Sequence, residues 1–588
     1  ILNKINEPKD LKYLSREELN LLSSEIRDVL IKRVSTTGGH FGPNLGMVEA
    51  TIALHYVFNS PVDKFVYDVS HQSYVHKMLT GRKEAYINPE KFKTVTGYTE
   101  PKESEHDFFT IGHTSTSISL ACGLAKGRDA VGSNENIIAI IGDGSLSGGE
   151  AYEGLNNAAA SNKNIIILVN DNDISIAENH GGLYKNLAQL RESEGKLDNN
   201  FFKSLGFEYH FVKDGNNLES LIETFEKVKD TTRPVVVHMH TIKGKGYEDA
   251  ENNKESFHWV MPFDLETKEP LFKGEYVKSY GDITEDFLIE KAKKDKSIVA
   301  ITAATPGIVG VNRFRSELQD QYVDVGIAEE HAIALASGMA KRGAKPVAAF
   351  LSSFIQRTYD QLSQDLAINN NPATIMVYWG GISGSDVTHL GLFDIPLISN
   401  IPNMVYLAPT TKEEHLAMVD WAIEQDKHPV AIRVPNMEVV STGVAVEANF
   451  DELNKYVMVE EGKDVAIIGL GSFFHLGKKV QERLRNTGIN ATLINPRFIT
   501  GVDEDLLNEL KENHKVVITL EDGILDGGFG EKISRFYGNS QMRVLNFGAT
   551  KEFTDSVELD VLYERYHLTE ELIVEDIEKV LADIKVFA

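Results

Sequence analysis

Residues 136–174 constrain the fold of this 588-residue chain more than any other stretch. The apolar run Asn136-Ile137-Ile138-Ala139-Ile140-Ile141 breaks at Gly142-Asp143-Gly144, and a Ser/Gly-rich turn then leads into a helical pattern from Glu150. A second run, Asn164-Ile165-Ile166-Ile167-Leu168-Val169, ends in Asn170-Asp171-Asn172-Asp173. Two continuous apolar runs separated by a helix-length segment predict a βαβ unit with a buried parallel pair. Both strands finish on oxygen-bearing side chains, at the carboxyl edge where open α/β sheets bind ligands.

A magnesium diphosphate suits such an edge. Gly142 and Gly144 allow close backbone approach to a phosphate, and the following helix offers free N–H groups and the positive end of its dipole. Asp143 and Asn172 are hard oxygen donors, and Mg²⁺ takes one or two such groups together with phosphate oxygens. Each turn alone also reads as an ordinary polar connection between core strands. Their occurrence at the ends of successive strands makes the pair more specific. A dinucleotide site fits less well, because its third glycine falls on Ser147 and no acidic residue ends the next strand at the right place.

The net charge of −27 disfavours nucleic acid or an anionic membrane as partner, so single arginines become informative for an anionic substrate. One cysteine, Cys122, excludes an internal disulfide framework and a Cys-rich metal site, and its small apolar surroundings predict a core filler. No apolar run reaches membrane-spanning length and the first residues carry no signal pattern, which leads to the expectation of a soluble cytoplasmic protein.

Length predicts three or four domains, and strands alternating with helices predict an α/β fold with mostly parallel sheets. The first domain, 1–265, opens with an amphipathic helix over 11–33 and a Gly-rich loop presenting His40. A strand over 65–69 precedes His71, and 112–117 (Gly112, His113, Thr114, Ser115, Thr116, Ser117) opens a helix whose hydroxyls read as caps. Residues 183–207 are charged and poor in apolar side chains, which predicts an excursion over the surface. A strand over 234–240 leads to Lys243 and Tyr247, where glycine and lysine suit phosphate or a solvated turn, and His258 closes the domain. Residues 262–281 read as a linker, 282–440 as a second α/β domain, 436–462 as a second linker and 460–588 as a third, structural unit.

Several strings resemble the 1-deoxy-D-xylulose 5-phosphate synthase family of transketolase-like thiamine-diphosphate enzymes. They are Asp68-Val69-Ser70-His71-Gln72-Ser73-Tyr74-Val75-His76-Lys77, Gly112-His113-Thr114-Ser115-Thr116-Ser117, Asp324-Val325-Gly326-Ile327-Ala328-Glu329-Glu330-His331, Ser353-Phe354-Ile355-Gln356-Arg357-Thr358-Tyr359-Asp360-Gln361 and Asn495-Pro496-Arg497-Phe498. The resemblance covers nearly the whole chain and implies three consecutive α/β domains. It implies decarboxylation of pyruvate and transfer of the two-carbon unit to D-glyceraldehyde 3-phosphate, giving a precursor of isoprenoids and thiamine. Thiamine diphosphate would be held through Mg²⁺ by Asp143, Asn172 and the Ile174 carbonyl, with His71, Gly112, His113, Ser115, Gly144, Ser145, Tyr247 and Phe354 around it. Glu329 would meet the aminopyrimidine ring and favour its imino tautomer. His40, His71 and His258 would hydrogen-bond developing alkoxides, Asp386 and His389 would serve the acceptor side, and Arg357 and Arg433 would lie beside the substrate, Arg433 reaching the acceptor phosphate. The family also implies a homodimer.

The chain departs from the family pattern at the acceptor side. An arginine position holds Trp379 and a phosphate-contacting tyrosine position holds Leu351. Losing both would remove charge-assisted bonds worth ~1.5–3 kcal/mol each. The loop between Asp386 and His389 is one residue shorter, and the segment after Ile176 is also short. An altered acceptor preference is the resulting expectation. A transketolase acting on a ketose phosphate and a cofactor-binding paralogue without turnover remain as rival readings.

Overall fold

The computed structural model describes residues 1–161, 163–272, 274–446 and 449–587, the side chains of 585–587 excepted. It divides into two compact units, Ile1–Glu275 with Gly326–Ala328, and Tyr276–Val325 with Glu329–Ala588.

The first unit holds the short strands β1 (Gly39–His40), β2 (Lys64–Tyr67), β3 (Ile137–Gly142), β4 (Ile166–Asp171), β5 (Glu208–Val212), β6 (Val235–His240) and β7 (Trp259–Val260). Five of them form a sheet in the order β2-β3-β4-β6-β5, every neighbouring pair parallel. The expected βαβ unit is present, with the helix Gly149–Ala159 crossing between β3 and β4 and Gly142 in register with Asn170. Why these strands read as unbroken apolar runs is clear from their two faces. Ile138, Ile140, Ile166 and Leu168 enter one buried cluster, while Ile137, Ala139, Ile141, Ile167 and Val169 enter another. The half-buried Cys122 packs against the second cluster.

Two expectations for this unit are corrected. The opening helix runs Arg16–Thr37, started by a capping box in which Ser15 and Glu18 satisfy each other's backbone N–H groups. The segment 183–207 is not a surface excursion. Its helix Gly182–Glu192 buries Tyr184, Leu187 and Leu190 in the second cluster, and Phe202 and Phe207 follow them. Few apolar residues are needed when each one is fully enclosed.

The second unit carries two sheets. Strands β8 (Ile298–Thr302), β9 (Tyr322–Asp324), β10 (Lys345–Leu351), β11 (Thr374–Tyr378), β12 (Val405–Leu407) and β13 (Val430–Arg433) form a six-stranded parallel sheet in the order β12-β13-β11-β10-β8-β9. Strands β14 (Val457–Glu460), β15 (Asp464–Gly469), β16 (Thr492–Asn495), β17 (His514–Ile524) and β18 (Arg543–Ala549) form the other, parallel except where β14 runs against β16. Part of the second predicted linker is therefore an edge strand. One buried cluster joins the two sheets, with Ile375 and Val377 of the first packed in the same core as Ile468, Ile494 and Val517 of the second. The buried Glu414 carboxylate reinforces this seam by accepting from Asn495 (3.0 Å), Arg497 (2.7 Å) and the Thr410 amide (2.8 Å).

Candidate active site

In the first unit the carboxyl ends of β2, β3, β4 and β6 deliver the predicted residues. Asp143 and Asn172 follow adjacent parallel strands, and the Asp143 amide donates to the Asn170 carbonyl at 3.0 Å. Asp143 Oδ2 accepts from Asn179 at 2.8 Å. Burial, with the neighbouring Asp171 charge, pushes the Asp143 carboxyl up from its ordinary value. Asn172 is 8% exposed, and its Oδ1 is buried with no hydrogen-bond partner. An uncompensated buried acceptor after one strand, with a carboxylate held above its ordinary value after the next, is an environment that a cation relieves. The residues therefore fit the divalent ion. Among the described residues no group of three or more His, Cys, Asp or Glu side chains is poised to hold a metal, so an ion here would depend on amide and carbonyl oxygens and on its ligand's phosphates.

The glycines divide their work. A Cβ on Gly144 would sit 2.4 Å from that of Ser175, so Gly144 lets the loops after β3 and β4 close on each other. Around Gly142 a Cβ would meet nothing within 4 Å, leaving open space at the strand tip. Ser115 and Ser117 prove not to be capping groups through their hydroxyls. Their amides donate to the buried Asp68 carboxylate at 2.8 and 3.0 Å, and Ser115 Oγ donates to the Ser145 carbonyl at 2.8 Å. The loop holding Gly112, His113 and Ser115 is thereby tied to Ser145, next to Gly144.

Three histidines meet in the same unit. The antiparallel pair β1–β7 sets His40 opposite Trp259 and so brings His258 to His40, with ring centroids 5.5 Å apart. His71 lies 4.8 Å from His40 and 5.2 Å from His258. Lys243, 2% exposed, was open to reading as a solvated turn. It instead places Nζ 2.6 Å from the Ser175 carbonyl and 3.0 Å from His258 Nδ1. Burial lowers Lys243 to about 7 and holds His258 well below the usual imidazole range, with the charges of Lys243 and the two histidines adding to the effect. The Nζ–Nδ1 contact fixes the ring's position whichever ring nitrogen carries the proton. Tyr247 packs its ring against Phe41 (5.2 Å) and Phe257 (5.7 Å), while its buried hydroxyl has no partner.

In the second unit Glu329 begins the helix Glu329–Lys341. Burial pushes it up to about 7 although Arg357 Nη1 stands 3.7 Å from Oε2, an oxygen that accepts no hydrogen bond. Phe354 and His389 meet at 5.7 Å, and Asp386 Oδ1 lies 3.3 Å from His389 Nδ1. Burial pushes Asp386 up, and the bonds from His389 and Thr388 outweigh it, leaving the carboxyl below its ordinary value. Leu351 is in register with Tyr378, so the two positions that depart from the family pattern, Leu351 and Trp379, lie at paired strand ends. Arg433 corrects an expectation. It is not held out to a phosphate: Nε and Nη2 bind Asp394 at 2.7 and 3.1 Å, and Nη2 donates to the Asp522 carbonyl at 2.7 Å.

Sequence reasoning passed over Lys243 among the site residues, and it missed Asp68, Asn179, Tyr184 and Arg191. One available signal was the crowding of four oxygen-bearing side chains at 170–173, which calls for a nearby cation such as the first arginine downstream, Arg191.

The chain is a transferase of the transketolase class, as the matching family models show. Family models for "Transketolase, pyrimidine binding domain" and "Transketolase, C-terminal domain" match residues 278–440 and 454–573. The model described as 1-deoxy-D-xylulose-5-phosphate synthase matches 2–198 and 194–241. Synthases of that name from Natranaerobius thermophilus (40% identity, 91% of this chain and 90% of the relative), Caldanaerobacter subterraneus subsp. tengcongensis (39%, 98% and 98%) and Halothermothrix orenii (39%, 98% and 96%) are similar to it. The chain belongs to the 1-deoxy-D-xylulose-5-phosphate synthase family, transferases that condense pyruvate with D-glyceraldehyde 3-phosphate in a thiamine-diphosphate-dependent reaction.

Proposed function

We propose that the chain performs this condensation with Mg²⁺ and the cofactor diphosphate held by Asp143, Asn172 and the Ile174 carbonyl. The observation that carries the assignment is the buried Asn172 Oδ1 without a partner. Thiamine diphosphate, when bound, would supply a nucleophilic carbon and an electron sink for the decarboxylation. Glu329 would face the aminopyrimidine nitrogen of the bound cofactor, and its value of about 7 lets both its protonation states exist near neutrality. Neutral His258, held in place by Lys243, would hydrogen-bond a developing alkoxide, with His40 and His71 beside it. Arg357 offsets the Glu329 charge, and Phe354 provides a ring face for the pyrimidine. Titration calorimetry of Asn172→Ala tests the metal assignment. A Mg²⁺-dependent cofactor affinity weakened roughly 10–100-fold in a folded variant is expected, and unchanged affinity would refute it.

We further propose a weakened preference for the phosphorylated acceptor, supported by Leu351 and Trp379 at paired strand ends and by the engagement of Arg433 with Asp394. We assign Arg433 to bracing the loop beneath the acceptor side. Rates with pyruvate and a panel of aldehydes decide: saturation by D-glyceraldehyde 3-phosphate at low concentration, with efficient turnover, would overturn this second reading. No described helix is long and apolar enough to cross a membrane. A cytoplasmic homodimer is the proposed working form, and light scattering at varied concentration tests its stoichiometry.

A further inference from the structure

The helix Gly182–Glu192 touches the loops of both strands that end at the proposed cation site. On the β3 side, Tyr184 Oη lies 3.1 Å from the carbonyl oxygens of Asp143 and Gly144 and shares its proton between them. On the β4 side, Arg191 Nη1 binds both carboxylate oxygens of Asp171 at 2.8 Å, and Nη2 binds Asp173 at 2.7 Å. Asp171 is gripped from behind by His238 Nε2 at 2.8 Å, itself bonded to Tyr209 at 2.8 Å. Asn172 therefore sits between two aspartates held by one guanidinium. Ahead of the helix, Asn179 reaches the Asp143 carboxylate. Leu187 and Leu190 are fully buried in the same core as Ile141 and Val169, the residues that lead into the two loops.

We propose that this helix is a clamp that sets the spacing between Asp143 and Asn172, with Tyr184 and Arg191 as positioning residues for the cation and the cofactor diphosphate. The proposal rests on the assignment of Asp143 and Asn172 as cation ligands. Neither Tyr184 nor Arg191 needs to touch the ligand. Each fixes main-chain or carboxylate groups next to one that does, and a planar guanidinium whose two nitrogens reach two different carboxylates imposes direction that a point charge does not. Ligand ordering of the site and ordering of the helix are then one event.

The test uses the full chain with Mg²⁺ and thiamine diphosphate. Arg191→Gln and Tyr184→Phe are expected to weaken Mg²⁺-dependent cofactor affinity roughly tenfold and threefold, while kcat at saturating cofactor stays within about twofold. Arg191→Lys, which keeps charge but not the two nitrogens that bridge Asp171 and Asp173, should recover only part of the loss. Amide exchange on the unaltered protein supplies a readout that does not depend on a variant folding: saturating Mg²⁺ and cofactor should slow exchange in 182–192 as well as at the strand ends. Unchanged affinity in folded variants, full rescue by lysine, or protection confined to the strand ends would each overturn the clamp. If the unaltered protein shows no Mg²⁺-dependent binding, or Asn172→Ala binds normally, it is the site assignment beneath it that fails.

Discussion

Strands β4 and β17 end alike in sequence and differently in space. Each pairs in parallel with both neighbours and carries acidic side chains towards its carboxyl end, Asp171 followed by Asn172 and Asp173 in one case and Glu521-Asp522 in the other. At β17 the side-chain oxygens have partners. Glu521 accepts from the Phe529 and Gly530 amides at 2.7 and 2.8 Å, and Asp522 accepts from the Ile382 amide at 2.7 Å and Ser472 at 3.3 Å. At β4 Asp171 is equally satisfied, yet Asn172 keeps a buried acceptor with none. The same contrast separates two buried glutamates of the second unit. Glu521 and Glu329 are both pushed up to about 7 by burial, but Glu521 has an amide partner for each oxygen, whereas Glu329 Oε2 has none. An acidic strand end thus distinguishes nothing by itself. The unspent acceptor marks the end that faces a ligand, and full satisfaction marks the brace.

The sharpest break of that contrast is expected at the brace. Asp394 is buried, accepts from Tyr406 and pairs with Arg433. Asp394→Ala leaves a buried guanidinium without its counter-charge, a loss of roughly 3–5 kcal/mol. Urea unfolding should show the midpoint falling accordingly, and a loss below about 1 kcal/mol would mean that Arg433 is free to serve a ligand instead. At the open end the order of effects reverses. Glu329→Gln should lower kcat by about 100-fold or more without lowering the unfolding midpoint near neutrality, because it removes a buried carboxylate, whereas Glu521→Gln should leave kcat within a few-fold. Equal kcat losses in the two variants would erase the distinction.

What could be read from the sequence followed from how locally each feature is encoded. The β3–β4 unit was legible because strands buried on both faces must be continuously apolar, and Asp143 and Asn172 mark where those runs stop. The clamp over 182–192 was not. Its core contribution is three side chains, Tyr184, Leu187 and Leu190, and its decisive contacts are polar ones to residues about 20–40 positions away. Strand β14 disappeared into a predicted linker because it is a short antiparallel edge with Val459 and Glu460 exposed. Arg433 was assigned to a phosphate because residue type shows charge, while the aspartate that consumes that charge lies 39 residues earlier. The C-terminal unit looked free of titratable clusters for the same reason, since Asp522 acquires its partners from Ile382 and Arg433 of the other sheet's loops.

The smallest effect is in stability against pH, and it sharpens the comparison of the glutamates. Burial raises both from an ordinary 4.5 to about 7. Between those values the unfolded chain has released a proton that the folded chain still holds, so the unfolded state binds fewer protons and stability must fall as pH rises. Each group contributes at most about 1.4 kcal/mol per pH unit within this window. Below pH 4.5 both are protonated in either state and the contribution vanishes; above about 7 the full cost of two buried charges is present. Glu521→Gln and Glu329→Gln should each flatten the decline between pH 5 and 7. Urea midpoints across that range, with and without Mg²⁺ and thiamine diphosphate, separate the two groups. Bound cofactor should alter the Glu329 part of the slope, because that carboxyl gains a partner, and should leave the Glu521 part unchanged, because its two amide donors are already in place. A slope in Glu329→Gln that responds to cofactor as strongly as that of the unaltered chain would show that the ligand does not reach Glu329.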